Sequence, residues 1–224
     1  MLQGVIFDFD GVLVDSESAH LEAFRKVLAL EIGVEVTGEE YESHYLGLDD
    51  HTCVLRALER RGLPTSSHTI RRLVDLKWQA YAESLGHVRS FPGAETLVRA
   101  LHAAEVPLAI ASGSRRAEIE AILRSLDLLG CFRGIVSSGD VSNFKPHPEP
   151  YLRGRALVGA GESPDGVLAF EDSAAGIASA RAAGLRVIGV TNSHPRAKLA
   201  LAHHILDSLE GVTVDDVERF AIRD

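Results

Sequence analysis

The sequence predicts an α/β fold: a Rossmann-like parallel sheet core with helices on both faces, plus a small all-helical domain inserted after the first strand. Two observations predict it. Short apolar runs recur, each followed by a polar or glycine-rich turn and then a helical pattern. Strands alternating with helices of this length imply right-handed crossovers and a mostly parallel sheet. Residues 16–89 break the alternation, with helical patterns and no convincing strand.

The elements follow in order. "GVIF" at 4–7 is an apolar run of the kind covered on both faces. Four helical patterns then span 18–32, 37–45, 49–61 and 66–85, separated by the polar or glycine-containing breaks "EIGVEVTGEE", "LGLDD" and "GLPTSS". "SFPG" at 90–93 marks the return to the main domain, with Pro92 suited to opening a helix. After it come a helix at 93–104, the strand "VPLAIA" at 106–111, a helix at 115–126 and the strand "GIVS" at 134–137. A helix at 149–158, "GVLAF" at 166–170, a helix at 173–183, "RVIGVT" at 186–191 and a weaker "HHIL" at 203–206 complete the pattern. The core domain is therefore expected at 1–15 and 90–224, and the helical domain at 16–89. No internal repeat or low-complexity segment interrupts it.

The chain has 224 residues, 46% hydrophobic and 25% charged, values ordinary for a soluble globular protein. It is long enough to bury a sizeable core without disulfides or a structural metal. Lys plus Arg number 23 against 32 Asp plus Glu, a net charge of −9, which offers no attraction to nucleic acid phosphates or anionic membranes. No run approaches the roughly 18 apolar residues of a membrane span, and the N-terminus does not read as a signal peptide. A cytoplasmic monomer without nucleic acid or membrane partners is expected. Cys53 and Cys131 read as reduced small hydrophobes, and the ten histidines show no paired metal-ligand spacing.

Chemistry gathers where the core strands end. The first ends in Asp8-Phe9-Asp10-Gly11, the second in Ser112-Gly113-Ser114 and the fourth in Glu171-Asp172-Ser173. The loop "NFKPHPEPY" places Lys145 beside prolines that favour extended backbone. In a parallel sheet these groups meet at one edge. Asp8 and Asp10, two apart, point to the same side of an extended segment. Up to four carboxylates would crowd there, and without a cation they would repel and take up protons. A hard divalent ion resolves the conflict, and an all-oxygen shell suits Mg2+. Ser112, the N–H groups after it at Gly113, and Lys145 supply phosphate contacts. The constellation reads as a site for phosphoryl transfer. One carboxylate of the pair attacks phosphorus and the other moves protons; their order alone does not say which.

"DFDGVLVDS", "ASGS", the Lys145-Pro146 of "FKPHPEPY" and "FEDSAAGIASARAAG" resemble the four motifs of the haloacid dehalogenase superfamily, in the right order and over essentially the whole chain. The resemblance is nearest to the beta-phosphoglucomutase-like phosphatase group. It implies Asp8 as nucleophile and Asp10 as general acid/base. It implies Mg2+ held by the Asp8 carboxylate, the Asp10 backbone carbonyl and Asp172, with Glu171 a direct or water-mediated ligand. Ser112 and Lys145 would bind the transferring phosphoryl group, and the inserted helices would form a cap closing over a small phosphorylated substrate. Gly47, in the cap loop "YLGLDD", matches a position where the family meets substrate, and so does Lys77, on the last cap helix, against the alternative of a solvated helix lysine. His20, near the junction of the two domains, is a further substrate candidate against the alternative of a surface helix position.

Ordinary readings stand beside these. Asp15 and Glu17 suit a hinge or a helix first turn, Trp78 and Tyr81 suit a cap core, and Arg115 and Arg116 suit a helix start. Asp10 argues against a dehalogenase, which needs no proton donor for an alkoxide. A mutase must anchor a second phosphate, and the mutase pattern has an arginine after the cap-loop glycine. "LGLDDHT" has Asp49, Asp50 and His51 instead, and acids there repel a second phosphate. The expected activity is a Mg2+-dependent phosphatase acting on a sugar or polyol phosphate through an aspartyl-phosphate. A phosphosugar mutase and a non-catalytic binding protein are the alternatives.

Overall fold

The computed structural model describes residues 2–45, 50–160 and 165–222, with Glu42 described by its backbone alone. It divides into two compact units, one of Met1–Ser16 with His87–Asp224, the other of Glu17–Gly86.

The larger unit is built on one parallel sheet. Its strands are β1 (Gly4–Phe7), β2 (Leu108–Ala111), β3 (Gly134–Val136), β4 (Val167–Glu171), β5 (Arg186–Val190) and β6 (His204–Leu206), in the order β3-β2-β1-β4-β5-β6. Both neighbours of β1 run parallel to it, with Val5 opposite Leu108 on one side and Leu168 on the other. The chain leaves β1 toward β2 on one side and later returns to β4 on the other. That reversal opens a crevice at the carboxyl ends of the strands, where ligands bind in open α/β sheets.

The central strands are apolar throughout because both faces are covered. Their small residues set how closely the helices approach. On one face α7 (Glu149–Leu157) crosses β1, β2 and β3, with Gly154 seated against Ile6. Ile6, Ala109, Ala169, Tyr151, Ile177 and Leu199 belong to that core layer, which includes residues of α8 (Ala174–Ala182). On β1 and β4 the register partners Phe7 and Phe170 stack with ring centroids 5.0 Å apart. The helices α5 (Ala94–Ala103) and α6 (Arg116–Ser125) complete the crossovers.

Several boundaries differ from the sequence reading. β2 starts at Leu108, because Pro107 has no N–H for the ladder, although its carbonyl still accepts from Val5 at 2.9 Å. β4 continues through Glu171, which the sequence places beyond the strand. A last helix, α9 (Val214–Ala221), has no counterpart in the sequence reading; Thr213 and Asp216 form a capping box at its start, a local signal that was present.

The smaller unit is helical: α1 (Ser16–Ile32), α2 (Gly38–His44), α3 (Asp50–Arg60) and α4 (Ser67–Ser84). Thr37 and Ser66 cap α2 and α4 by accepting from the backbone N–H of Glu40 and Thr69. Its own core joins Phe24, Leu28, Tyr45, Leu58 and Leu73 with Cys53, whose thiol donates to the Tyr45 carbonyl.

Candidate active site

Four segments of the larger unit build the site. The first is the end of β1. The Asp8 N–H donates to the Phe170 carbonyl at 2.9 Å, extending the ladder and fixing Asp8 at the sheet edge. Its Oδ1 accepts from the Phe9 N–H at 2.8 Å, while the Phe9 ring is fully buried. Gly11 then turns with φ +78°, and a Cβ there would collide with the Asp172 carboxylate and the Ser193 hydroxyl. Only glycine meets both demands.

The second segment is the end of β4. Glu171 has no exposed surface, and Asp172 is nearly as buried. Strand alternation alone would set their side chains on opposite sides. Glu171 is the last residue of the strand, however, and beyond it the pleat no longer governs direction. One oxygen from each of Asp8, Glu171 and Asp172 lies within 4.8 Å of the others.

The third segment carries Lys145. Its ammonium stands 2.9 Å from Asp8 Oδ1 and 2.6 Å from Glu171 Oε1, over the Tyr151 ring. The Tyr151 hydroxyl donates to the same Oε1 at 2.6 Å. The other oxygen of Glu171 accepts from the Ser173 hydroxyl at 3.0 Å and from the N–H groups of Asp172 and Ser173. A Cβ at Gly176, in the first turn of α8, would strike this carboxylate.

The fourth segment follows β2. Ser112 is buried, and its hydroxyl accepts from the Ser114 N–H at 2.9 Å while donating to Asp10 Oδ2 at 3.2 Å. The Ser114 hydroxyl donates to the same oxygen at 2.6 Å, and the Ser16 hydroxyl donates to Asp10 Oδ1. Asp10 is thus held by three serine hydroxyls, and its carboxylate is not part of the three-carboxylate cluster. Gly113, between the two serines, faces open space where a side chain would be.

The electrostatics follow from burial. Desolvation, and then the charge of Glu171, push Asp8 well above the usual carboxylate range. The same two causes raise Asp172 to about 7. Burial by itself would lower Lys145, but the charges of Asp8 and Glu171 outweigh it and hold the ammonium above its ordinary value. If all three carboxylates were ionised, the one ammonium would leave two negative charges unmatched in a buried space. The donors are all oxygen. A divalent hard cation such as Mg2+ fits both the charge and the donor chemistry. Asp8, Asp172 and Glu171 are the residues whose side chains could hold it.

The remaining sequence candidates lie in the helical unit. The Lys77 ammonium is 2.6 Å from both His20 Nδ1 and Asp50 Oδ1, and the His20 ring stacks on Tyr81 at 3.8 Å. Lys77 is 3% exposed, a buried, ion-paired lysine rather than a solvated one. Gly47 lies outside the described residues. Ser16, Ser114, Ser173, Tyr151 and Gly176 were not singled out by the sequence reading. Ser114 and Ser173 lie inside the strand-end motifs, but serine is so common in turns that only its partner marks it. Among the described residues, no helix is long and apolar enough to cross a membrane.

Comparison with known proteins gives the site its context. The family described as haloacid dehalogenase-like hydrolase matches residues 5–190. "Protein CbbY" of Rhodobacter capsulatus is 35% identical over 202 residues, covering 87% of this chain and 88% of that protein. A protein of Thermotoga maritima named "Phosphorylated carbohydrates phosphatase" is 32% identical over 203 residues, covering 86% and 87%. Among solved structures, CbbY of Rhodobacter sphaeroides in complex with phosphate superposes with a TM-score of 0.81 at 24% identity, over 97% of this chain and all of that one, a likeness of fold.

Proposed function

The chain belongs to the haloacid dehalogenase-like hydrolase family, and on that premise we propose that it is a Mg2+-dependent phosphatase of a small sugar or polyol phosphate. The observation that carries this reading is the division of the carboxylates. Asp8, Glu171 and Asp172 converge on one space beside Lys145, and Asp10 stands apart on hydroxyl donors. A nucleophile in a cation site and a separate proton carrier are what phosphoryl transfer to a carboxylate needs.

Bound Mg2+ would supply neutralisation of the crowded carboxylates and of the phosphoryl oxygens. The chain's own residues do the rest. An Asp8 oxygen attacks phosphorus, the bond from phosphorus to the leaving oxygen breaks, and Asp10 gives that oxygen its proton. Water then attacks the aspartyl-phosphate, Asp10 takes the water's proton, and the phosphorus–Asp8 bond breaks to release inorganic phosphate. Lys145 stays protonated throughout and balances charge at the phosphoryl group, with the Ser112 hydroxyl and the Gly113 N–H as further donors. Glu171 already accepts from five donors, which suits a ligand reached through water better than a direct one.

The helical unit serves as the cap, and His20 and Lys77 are its candidate substrate contacts. The ion pair of Lys77 with Asp50 supports phosphatase over mutase, because it neutralises a cation that a second phosphate would need. The name of the Thermotoga relative supports a phosphorylated carbohydrate as substrate. The test is phosphate release from p-nitrophenyl phosphate and a panel of phosphorylated sugars and polyols, with Mg2+ or with chelator. Mg2+-dependent turnover that disappears in Asp8→Asn is expected. Equal background rates for wild type and Asp8→Asn would sink the reading. Rapid conversion of beta-glucose 1-phosphate to glucose 6-phosphate, primed by the bisphosphate, would favour the mutase.

A further inference from the structure

Lys145 reaches the site from a loop with little apolar anchorage. Phe144 beside it is 58% exposed, and Ser142, Asn143, Pro146 and His147 are exposed as well. Polar bonds hold the loop instead, and most of them converge on Glu149, the first residue of α7. Its Oε1 accepts from the Ser142 N–H at 3.2 Å, and its Oε2 accepts from the Asn143 N–H and side-chain amide, both at 3.0 Å. Arg153, one helical turn on, donates to Oε1 from Nε and Nη2. The Asn143 amide, the Ser142 N–H and Arg153 hold this carboxyl at about 2, so it is charged under all working conditions. At the far end the loop closes through the His147 N–H on the Phe144 carbonyl at 2.9 Å, the Ser179 hydroxyl on the His147 carbonyl at 2.6 Å, and the Glu149 N–H on His147 Nδ1.

We propose that Glu149 is a positioning residue whose carboxylate clasps the loop and so sets the Lys145 ammonium between Asp8 and Glu171. The proposal rests on the phosphatase reading for its kinetic consequence. Lysine has a long flexible stem and loses substantial rotamer freedom when fixed at one point. A loop fixed at Ser142 and Asn143 presents that stem from one origin; a loosened loop lets the ammonium stray, and misplacement of about 1 Å can cost orders of magnitude in rate. Glu149 touches no reacting atom and works through Lys145.

Glu149→Gln keeps the volume but turns one acceptor oxygen into an NH2 group facing N–H donors. Turnover of p-nitrophenyl phosphate is measured for wild type, Glu149→Gln, Lys145→Ala and the double variant, with thermal melting of each. The expected result is a loss of about tenfold in kcat for Glu149→Gln, with the Mg2+ dependence unmoved, that vanishes in the Lys145→Ala background. Asn143→Ala, which removes a donor from the other side of the clasp, should give a smaller loss that vanishes in the same way. Losses that multiply in the double variant, or wild-type turnover in Glu149→Gln, would overturn the proposal. If wild type shows no turnover, the phosphatase reading fails and the clasp is read by NMR instead. Glu149→Gln should then speed amide exchange at Asn143 and move the Lys145 Nζ signal. Faster exchange with an unmoved Lys145 signal overturns the proposal independently.

Discussion

The ammonium of Lys145 lies 2.6 Å from Oε1 of Glu171, a carboxylate with no exposed surface. A buried ion pair is weak evidence of stability, because desolvation offsets attraction, but breaking one from a single side is costly. Lys145→Met leaves Glu171 and Asp8 without their cation. The expected loss is about 3–5 kcal/mol in denaturant unfolding of the metal-free chain, partly recovered by adding Glu171→Gln. A Lys145→Met variant as stable as wild type would show that the pair does not form.

Stability and metal affinity should both depend on pH through Asp172. Its carboxyl is raised from 3.8 to about 7, by burial first and by the Glu171 charge second, so the folded chain holds this proton more tightly than the unfolded chain does. The resulting stabilisation is complete below about pH 4 and is lost as pH rises through 7. Asp8 shifts in the same direction. The metal-free chain should therefore melt at a lower temperature at pH 8 than at pH 5.5, through a dependence that Asp172→Asn weakens. Added Mg2+ should raise the melting temperature most at pH 8, since below 7 it must displace protons, with up to about a tenfold loss of apparent affinity per pH unit for each proton. Scanning calorimetry across that range, with Mg2+ and with chelator, checks both trends; a Mg2+ shift largest at pH 5.5 would contradict them.

Ser114 donates to Asp10 Oδ2 at 2.6 Å, a shorter bond than that from Ser112 at 3.2 Å. Ser114→Ala should leave folding intact and lower kcat by about tenfold through a less constrained proton carrier. Ser114→Thr, which keeps the hydroxyl, should restore most of the rate. Steady-state kinetics of the two variants decides, and equal losses in both would assign the effect to packing.

Gly176 allows α8 to begin directly against Glu171, and any Cβ there meets the carboxylate. Gly176→Ala must push Glu171 away from Lys145 and Tyr151 or move the helix. The expected cost is about 1–3 kcal/mol of stability with loss of Mg2+-dependent turnover. Urea unfolding without metal and turnover with it measure the two parts separately.

Most of the fold was legible because its signals are local. Apolar runs of strand length and the helices between them name the layers, and a run of helical patterns without a strand names the second unit. Strand ends written as Asp8-Phe9-Asp10, Ser112-Gly113-Ser114 and Glu171-Asp172 give the chemistry its ingredients, because only the end of a covered strand can hold such groups near solvent.

What tertiary structure decided was which ingredient meets which. Strand periodicity constrains side chains along β4 but says nothing past Glu171, so the convergence of Glu171 with Asp172 and Asp8 depends on β1 lying between β2 and β4. The withdrawal of Asp10 onto Ser16, Ser112 and Ser114 joins residues up to 104 positions apart. Tyr151 looks like any helix aromatic until α7 crosses the sheet and brings its hydroxyl to Glu171. Lys77 reads from sequence as either substrate-facing or solvated until Asp50 and His20 surround it. Residue type and spacing are written in the chain, but the energy of a buried charge is set by its neighbours in space, and those come only from the packing.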